Sequence, residues 1–333
     1  MIKPSRSLNK ILEPVQRWVN HRLLGNYLTH RLDQDPEIQA QIREHLLNNF
    51  CFWQERGVHA TPVTFDQPIP HTGRIDEDVW KTLSDIPGVR MNANLQCELL
   101  SRFAELYKPE YEALPRHSTP VKSDFYLENG AFESVDGEML YCMIRALKPQ
   151  RIFEIGSGNT TYLSAYAVRR NQEIDGVSCE LVAFEPNPNE TLRAGFPGLT
   201  RLEEIKAQQI PLMTFGRLGA GDILFIDSSH VLKVASDVQY LVLEVFPRLR
   251  SGVHIHVHDI FLPSEYPRAW VMDKHRFWNE QYFLQAFLAF NDSFDIVWAG
   301  SYMHLKHSDK LAKVFDSYDP KERWPGSLWM KRR

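Results

Sequence analysis

The stretch Arg151-Ile-Phe-Glu-Ile-Gly-Ser-Gly-Asn-Thr-Thr161 decides the fold of this chain. Its first five residues form a short apolar run typical of a buried strand, and helical character begins near Asn159. The two glycines between them permit a positive φ and let a ligand approach the backbone. The start of the following helix adds free N–H groups. We therefore predict a strand, a tight turn that binds a ligand, and a helix.

Further strands alternate with helices beyond this unit. We predict strands over 181–184, 222–226 and 253–257, with a helix over 231–249. A helix over 279–290 and strands over 294–298 and 327–331 predict a closing hairpin at the sheet edge. Alternating strands and helices indicate βαβ units and a parallel sheet. The predicted fold class is α/β, a doubly wound, mostly parallel, Rossmann-like sheet with a helical N-terminal extension.

We predict two domains, a helical and irregular region over 1–120 and the main domain over 121–333. Apolar residues recur at helical spacing over 11–23 and 37–52. Residues 1–31 contain six lysines and arginines but one acid, Glu13. Such a basic amphipathic segment can pack on its own domain, join two copies of the chain or lie on a membrane surface. We expect the region to form a homodimer contact or a substrate cap.

Composition excludes several classes of protein. The 333 residues are 43% hydrophobic and 24% charged, with a net charge of -4, which argues against a disordered chain and against a nucleic-acid partner. The four cysteines lie far apart and form no CxxC pair, which suits a reduced compartment. No apolar run reaches the length of about 18 residues that a membrane span needs. We expect a soluble cytoplasmic protein without a membrane span.

The turn after the first strand has the pattern E-x-G-x-G, which begins at Glu154. A dinucleotide-binding turn needs a third glycine where Thr161 stands, so a nicotinamide oxidoreductase is disfavoured. The acid of the pattern instead suits a cationic or amino-bearing ligand. A second acid, Glu185, ends the second strand, the position that accepts hydrogen bonds from ribose hydroxyls in such folds.

These residues resemble those of class I S-adenosylmethionine-dependent methyltransferases. The runs Gly221-Asp-Ile-Leu-Phe-Ile-Asp-Ser-Ser-His230, His256-Val-His-Asp-Ile260 and Gly326-Ser-Leu-Trp329 are similar to a bacterial branch near the methyltransferase-24 group. The resemblance extends from about Thr64 to the C-terminus. It implies an enzyme with S-adenosylmethionine as cofactor. It also implies cofactor-binding roles for Glu154, Gly156, Ser157, Gly158, Glu185, Gln208, Asp227 and Ser228.

Acids and imidazoles close the fourth and fifth strands and are the candidates for catalysis. In one interpretation His258 or His230 is a general base, oriented by Asp259 or Asp227. In the other, Asp227 and Asp259 hold a divalent metal, as in methyltransferases of the catechol type, although Ile260 stands where that pattern has Asn. His254 is predicted to be an interior residue, and the role of His256 stays open.

The predicted activity is O-methylation of a small molecule, a natural product or a glycan unit. An aromatic insert over 261–278 follows the proposed active edge and is interpreted as a lid or a substrate wall. Two alternatives remain: an N-methyltransferase, and a non-catalytic protein that binds the cofactor and acts as a scaffold.

Overall fold

The computed structural model describes residues 36–59 and 61–333. The chain divides into two compact units, Met1–Ile75 and Asp76–Arg333. In the first unit, helix α1 (Pro36–Asn48) is followed by the short helix α2 (Phe50–Gln54). The helix predicted over 11–23 and the basic segment over 1–31 lie outside the described residues. Their use in a homodimer remains a prediction.

The second unit begins with irregular chain and then forms helix α3 (Ala93–Tyr111) and helix α4 (Asp136–Leu147). Helix α3 belongs to this unit because the backbone N–H of Ala299 donates to the side chain of Gln96, 2.8 Å away. Two buried residues of the same helix, Leu100 and Phe103, join the core. The structural division falls after Ile75, and the domain division predicted at residue 120 stays a prediction.

A seven-stranded sheet with the order β3-β2-β1-β4-β5-β7-β6 forms the centre of the second unit. Strands β1 to β5 run parallel, and β7 lies antiparallel between β5 and β6. The predicted α/β, mostly parallel, Rossmann-like fold is confirmed. The strands are β1 (Arg151–Ile155), β2 (Glu180–Phe184), β3 (Arg201–Glu203), β4 (Ile223–Ile226), β5 (His254–Val257), β6 (Phe294–Ala299) and β7 (Leu328–Arg332).

Helices pack on both faces of this sheet and bury an apolar core on each side. The crossover after β4 is irregular. Its helix α8 (Asp237–Tyr240) continues through a π-helical turn (Leu241–Val245) and a 3-10 turn (Phe246–Arg248). The remaining helices are α5 (Asn159–Asp175), α6 (Glu190–Ala194), α7 (Leu212–Phe215), α8 (Asp237–Tyr240), α9 (Arg268–Met272), α10 (Glu280–Leu288) and α11 (Gly300–Val314).

The helix predicted over 231–249 begins later, at Asp237. The Ser236 hydroxyl accepts from the backbone N–H of Gln239 and caps the helix there. Before the cap, the Asn279 side chain accepts from the backbone N–H of Leu232 at 2.6 Å and holds the preceding chain as a loop. A side chain 47 positions away thus overrides the local helical pattern. Throughout the described ranges, no helix has both the length and the apolar character to cross a membrane.

Candidate active site

A cavity of about 450 Å³ opens at the carboxyl ends of β1, β2 and β4. Gly156 lines it with φ +80°, and a Cβ built there would lie 1.8 Å from the carbonyl oxygen of Asp227. Only glycine satisfies both the left-handed backbone and this close approach. The turn after β1 is therefore locked against the end of β4. The predicted ligand-binding turn lies where a parallel sheet places its ligands.

Glu185 and Gln208 line the same cavity from the ends of β2 and β3. The Glu185 carboxylate accepts from the backbone N–H of Asn187 at 2.7 Å and of Ser157 at 3.3 Å, so its position is fixed relative to the glycine turn. The Gln208 side chain donates to the carbonyl of Ala235 at 3.2 Å. The cavity is thus polar at Glu185, predicted to accept from ribose hydroxyls, and at Gln208, a further residue predicted to bind the cofactor.

Glu154 lies beneath the turn and is fully buried. Its Oε1 accepts from the hydroxyls of Thr160 at 2.5 Å and Thr161 at 2.9 Å. Its Oε2 has no hydrogen-bond partner in the part of the chain that the structure describes. Burial raises the pKa of Glu154 to about 8. A buried carboxyl with one unpaired oxygen is a group that a nearby cationic or amino-bearing ligand would stabilise.

Three further side chains meet at the ends of β4 and β5. The Nε2 atom of His230 lies 3.2 Å from Oδ1 of Asp227 and 3.6 Å from Oδ2 of Asp259. One ligand atom from each of these three residues lies within 4.8 Å of the others, an arrangement able to hold a metal ion. The other ring nitrogen of His230, Nδ1, lies 3.1 Å from the buried carboxylate of Glu280.

Electrostatics in this cluster favour a charged or metal-bound imidazole. Burial alone would lower the pKa of His230, but the hydrogen bonds to Asp227 and Glu280 raise it well above its usual range. Burial would likewise raise the pKa of Asp227, but His258 and His230 lower it to about 2. In the absence of a cation, a protonated His230 therefore lies between ionised Asp227 and the other acids.

His230 and Asp259 both have left-handed backbones, with φ values of +58° and +56°. Such conformations are uncommon outside glycine and cluster at functional sites. Backbone N–H groups of Asn279 and Glu280 each donate to the carbonyl of His230 at 3.2 Å and support the strained residue. The start of α10 thus holds both the backbone and the ring of His230.

A second cavity, of about 720 Å³, lies on the other side of Asp227. His258 and Asp259 line it, and the Nε2 atom of His258 lies 3.5 Å from Oδ1 of Asp259. Burial would lower the pKa of His258, but Asp259, Asp227 and Asp136 raise it. Asp227 lines this cavity and the first one, and it is the one residue of the described ranges that the two linings share.

The other two histidines of β5 lie in the interior. The His256 ring stacks on Phe225 with 3.9 Å between centroids, and its Nε2 lies 2.9 Å from the Ser327 hydroxyl. Burial lowers the pKa of His256 well below its usual range, so the ring is neutral. Burial also lowers the pKa of His254, to about 4. Both histidines are therefore packing residues. The sequence predicts an interior position for His254 and leaves the role of His256 open.

The glycine turn, the acid after β2 and the polar ends of β4 and β5 lie in the part of the chain that matches a known family. Residues 153–260 match the methyltransferase-24 family model, described as a methyltransferase domain. This part of the chain therefore resembles a methyltransferase domain. The family resemblance predicted from the sequence is confirmed for residues 153–260, and the predicted fold is confirmed by the order of the strands.

Two other proteins are similar to parts of the chain. An uncharacterised protein from Archaeoglobus fulgidus is 29% identical over 150 residues, which cover 43% of this chain and 65%, less than two thirds, of that protein. A crystal structure of an O-methyltransferase from Bacillus cereus in complex with SAH shares 15% identity. The aligned residues make up 72% of this chain and 91% of the chain in that structure, and the TM-score is 0.34.

The structure distributes the predicted residues over the two cavities. Gly156, Glu185, Gln208, Asp227 and Ser228 line the first, and Asp227, His258 and Asp259 line the second. Neither cavity is lined by the remaining predicted site residues, which are Glu154, Ser157, Gly158 and His230.

Sequence reasoning assigned no role to two buried carboxylates of this site. Glu280 faces His230, and Asp136 lines the second cavity near His258. The Asp136 carboxylate accepts from the backbone N–H groups of Gly326 at 2.8 Å and Ser327 at 3.1 Å. A signal was available for both, because each acid is the first residue of a helix, α4 or α10, whose other buried residues are mostly apolar.

Proposed function

We propose that this protein transfers a methyl group from S-adenosylmethionine to an oxygen of a small-molecule or glycan acceptor. The observation that carries the proposal is that Asp227 lines both cavities. One cavity has the polar groups and the glycine turn that suit the cofactor, and the other has the acids and the imidazole that suit an acceptor hydroxyl. Methyl transfer requires the cofactor and the acceptor to lie side by side, and we assign their point of contact to the region beside Asp227.

The residues of the first cavity fit the cofactor. A volume of about 450 Å³ lies within the range of ligand sites. Glu185 would hold the ribose hydroxyls, Gln208 would lie by the adenine, and Gly156 with Ser228 would border the methionine part. Glu154 lies beneath the turn and outside the lining, and an amino group bound close to the turn would stabilise its unpaired oxygen. When bound, S-adenosylmethionine supplies an electrophilic methyl group on a sulfonium.

The cluster of Asp227, His230 and Asp259 fits a divalent metal. Two carboxylates and one imidazole form a mixed oxygen and nitrogen set, which suits Mn²⁺, Fe²⁺ or Zn²⁺ better than an all-oxygen site would. Glu280 would fix the ring of His230 through Nδ1 and leave Nε2 for the ion. A bound cation would lower the pKa of an acceptor hydroxyl beside it.

Within this arrangement the two predicted catalytic histidines take different roles. Both ring nitrogens of His230 face carboxylates, and its side chain does not line the acceptor cavity. His258 does line that cavity, so it is the residue placed to accept a proton from the acceptor. Asp259 would orient the His258 ring as well as bind the metal, since its two oxygens face the two histidines.

Transfer of a labelled methyl group would test this function. The full chain, stripped of metal with EDTA, is incubated with methyl-labelled S-adenosylmethionine and pools of hydroxylated aromatic compounds and sugars, with and without Mg²⁺, Mn²⁺ or Zn²⁺. We expect labelled product that depends on an added metal and is lost in Asp259→Asn. Equal labelling by wild type and Asp259→Asn would contradict the assignment. Label on an amine would favour the N-methyltransferase alternative.

A further inference from the structure

The geometry points to an acceptor that carries an anionic group beside a flat ring or the apolar face of a sugar ring. This inference rests on the proposed function, because it assigns the second cavity to the acceptor. The mouth of that cavity is lined by three exposed cations, Lys274, Arg276 and Lys321. Within residues 36–59 and 61–333, none of the three has a carboxylate within ion-pair distance.

Arg276 is held in place although it lacks a carboxylate partner. Its guanidinium lies 5.2 Å from the ring centroid of Trp270 and 5.0 Å from that of Trp278. The ammonium of Lys274 lies 5.9 Å from the same Trp270 ring. Contacts of this kind favour a cation over an aromatic face and restrict its motion. The two cations are thus gathered around one indole, with their hydrogen-bond donors left for a ligand.

Two neighbouring arginines, in contrast, pair with carboxylates. Arg268, at the start of α9 in the same segment, forms two hydrogen bonds with Glu77, at 2.7 and 2.8 Å. Arg323, which lines the same cavity, pairs with Glu133 at 2.6 Å. The unpaired cations are therefore concentrated at the mouth beside Trp270. Guanidinium and ammonium groups in this position are suited to a carboxylate, a phosphate or a sulfate.

Aromatic rings form an adjacent wall of the cavity. Trp270 and Trp324 both meet Phe261 edge to face, with centroid distances of 5.2 and 5.8 Å. His304 stacks on Trp324 at 5.2 Å. Such a wall binds a planar ring, or the apolar face of a sugar, through its π-face. An acceptor that uses both features would place its ring on the tryptophans and its anion at the cations.

Charge in the cavity also sets the direction of binding. Asp227 and Asp259 in the half-buried part of the lining would repel an anion, whereas the exposed part holds the three cations and one acid, Glu322. The anionic group would therefore lie outward, and the hydroxyl at the other end of the molecule would point to His258 and Asp259. The cations then act as specificity determinants for the proposed methyl transfer.

Ligand-observed NMR titrations of the full chain would test this inference. Each is done with and without S-adenosylhomocysteine. The probes are two matched pairs, protocatechuate with its methyl ester and glucuronic acid with glucose. In at least one pair we expect the anion to bind about tenfold more tightly than its neutral partner, because two or three cations each add a modest attraction. The preference should fall to about twofold in the double variant Lys274→Gln, Arg276→Gln. It should persist in Arg268→Gln, the matched control in the same segment.

The outcomes separate the inference from the proposed function. A preference confined to one pair identifies the ring as aromatic or as a sugar. Equal binding of both members in both pairs, no binding by any of the four probes, or a preference that survives the double variant would overturn the inference. If the double variant weakened the binding of anionic and neutral probes equally, Arg276 would only balance the negative charge of Asp259. That result would also overturn the inference. Failure of S-adenosylhomocysteine to bind would instead count against the proposed function.

Discussion

The two cavities that meet at Asp227 are built in different ways. The cofactor cavity consists of short segments at the ends of consecutive parallel strands, such as Gly156 after β1 and Glu185 after β2. The acceptor cavity takes its lining from chain that lies outside the strands, over 130–136, 261–276 and 320–326, together with the strand-end acids. Under the proposed function, the sheet therefore positions the cofactor and the reacting groups, while the loops select the acceptor. The predicted effects of the following variants differ according to the cavity that each variant changes.

The largest effect is expected from Gly156→Val. The new side chain would meet the carbonyl of Asp227 and force a β-branched residue into a left-handed backbone. We expect a loss of about 4 kcal/mol or more in the free energy of unfolding, with no detectable binding of S-adenosylmethionine. Denaturant unfolding and calorimetry measure the two effects. Gly158→Ala is the control, since nothing lies within 4 Å of a Cβ built there; equal damage by both variants would argue against a locked turn.

Asp259→Asn should separate the cavities by function. Asp259 lines only the acceptor cavity, so S-adenosylmethionine should bind as in wild type. Turnover should fall about a hundredfold or more, because the variant removes a metal ligand and the partner of His258. Steady-state kinetics and calorimetry are compared with Asp273→Asn, an exposed acid of the same segment that does not line the cavity. Loss of cofactor affinity in Asp259→Asn would contradict the separation.

Glu280→Gln tests the carboxylate behind His230. The variant keeps the shape of the side chain but removes the charge that fixes the ring through Nδ1. We expect the affinity for Mn²⁺ or Zn²⁺ to fall about 10- to 100-fold, which is typical of groups that orient a metal ligand. A metal titration followed by competition with a chelating dye measures this. Unchanged metal affinity would assign Glu280 to packing alone.

Glu154 is expected to affect the pH dependence of stability and to leave the acceptor cavity unchanged, since it does not line that cavity. The pKa of Glu154 is about 8 in the folded protein and near the ordinary carboxyl value when unfolded. Between these values the folded state holds a proton that the unfolded state releases, so stability falls as pH rises, by at most about 1.4 kcal/mol per pH unit. Glu154→Gln should remove this part of the slope. An identical pH profile in wild type and variant, from denaturant unfolding, would contradict it.

The cofactor cavity was largely predictable from the sequence because its signals are local. A strand, two glycines and a helix start lie within eleven residues, and Glu185 follows directly from the end of β2. The topology of a parallel sheet then brings these ends to one edge. The loop over 231–236 was read as helix, because its apolar spacing could not reveal that Asn279 would hold it.

The acceptor cavity was predictable only in part. Strand-end position identified Asp227, His258 and Asp259, and the aromatic insert over 261–278 was singled out as a wall. The contact of Glu280 with His230 joins residues 50 positions apart, and that of Asp136 with Ser327 spans 191. No local pattern fixes such distances, because they depend on how the last helices and β7 pack. The unpaired cations around Trp270 become apparent only once Glu77 and Glu133 are seen to pair with other arginines.

The central claim is that the glycine turn and Glu185 form a site for S-adenosylmethionine. A calorimetric titration of the full chain with S-adenosylmethionine, with NAD as the control ligand, tests it most directly. We predict saturable binding of one S-adenosylmethionine per chain, with or without EDTA, and no binding of NAD. Absence of S-adenosylmethionine binding under both conditions, or tighter binding of NAD, would contradict the claim.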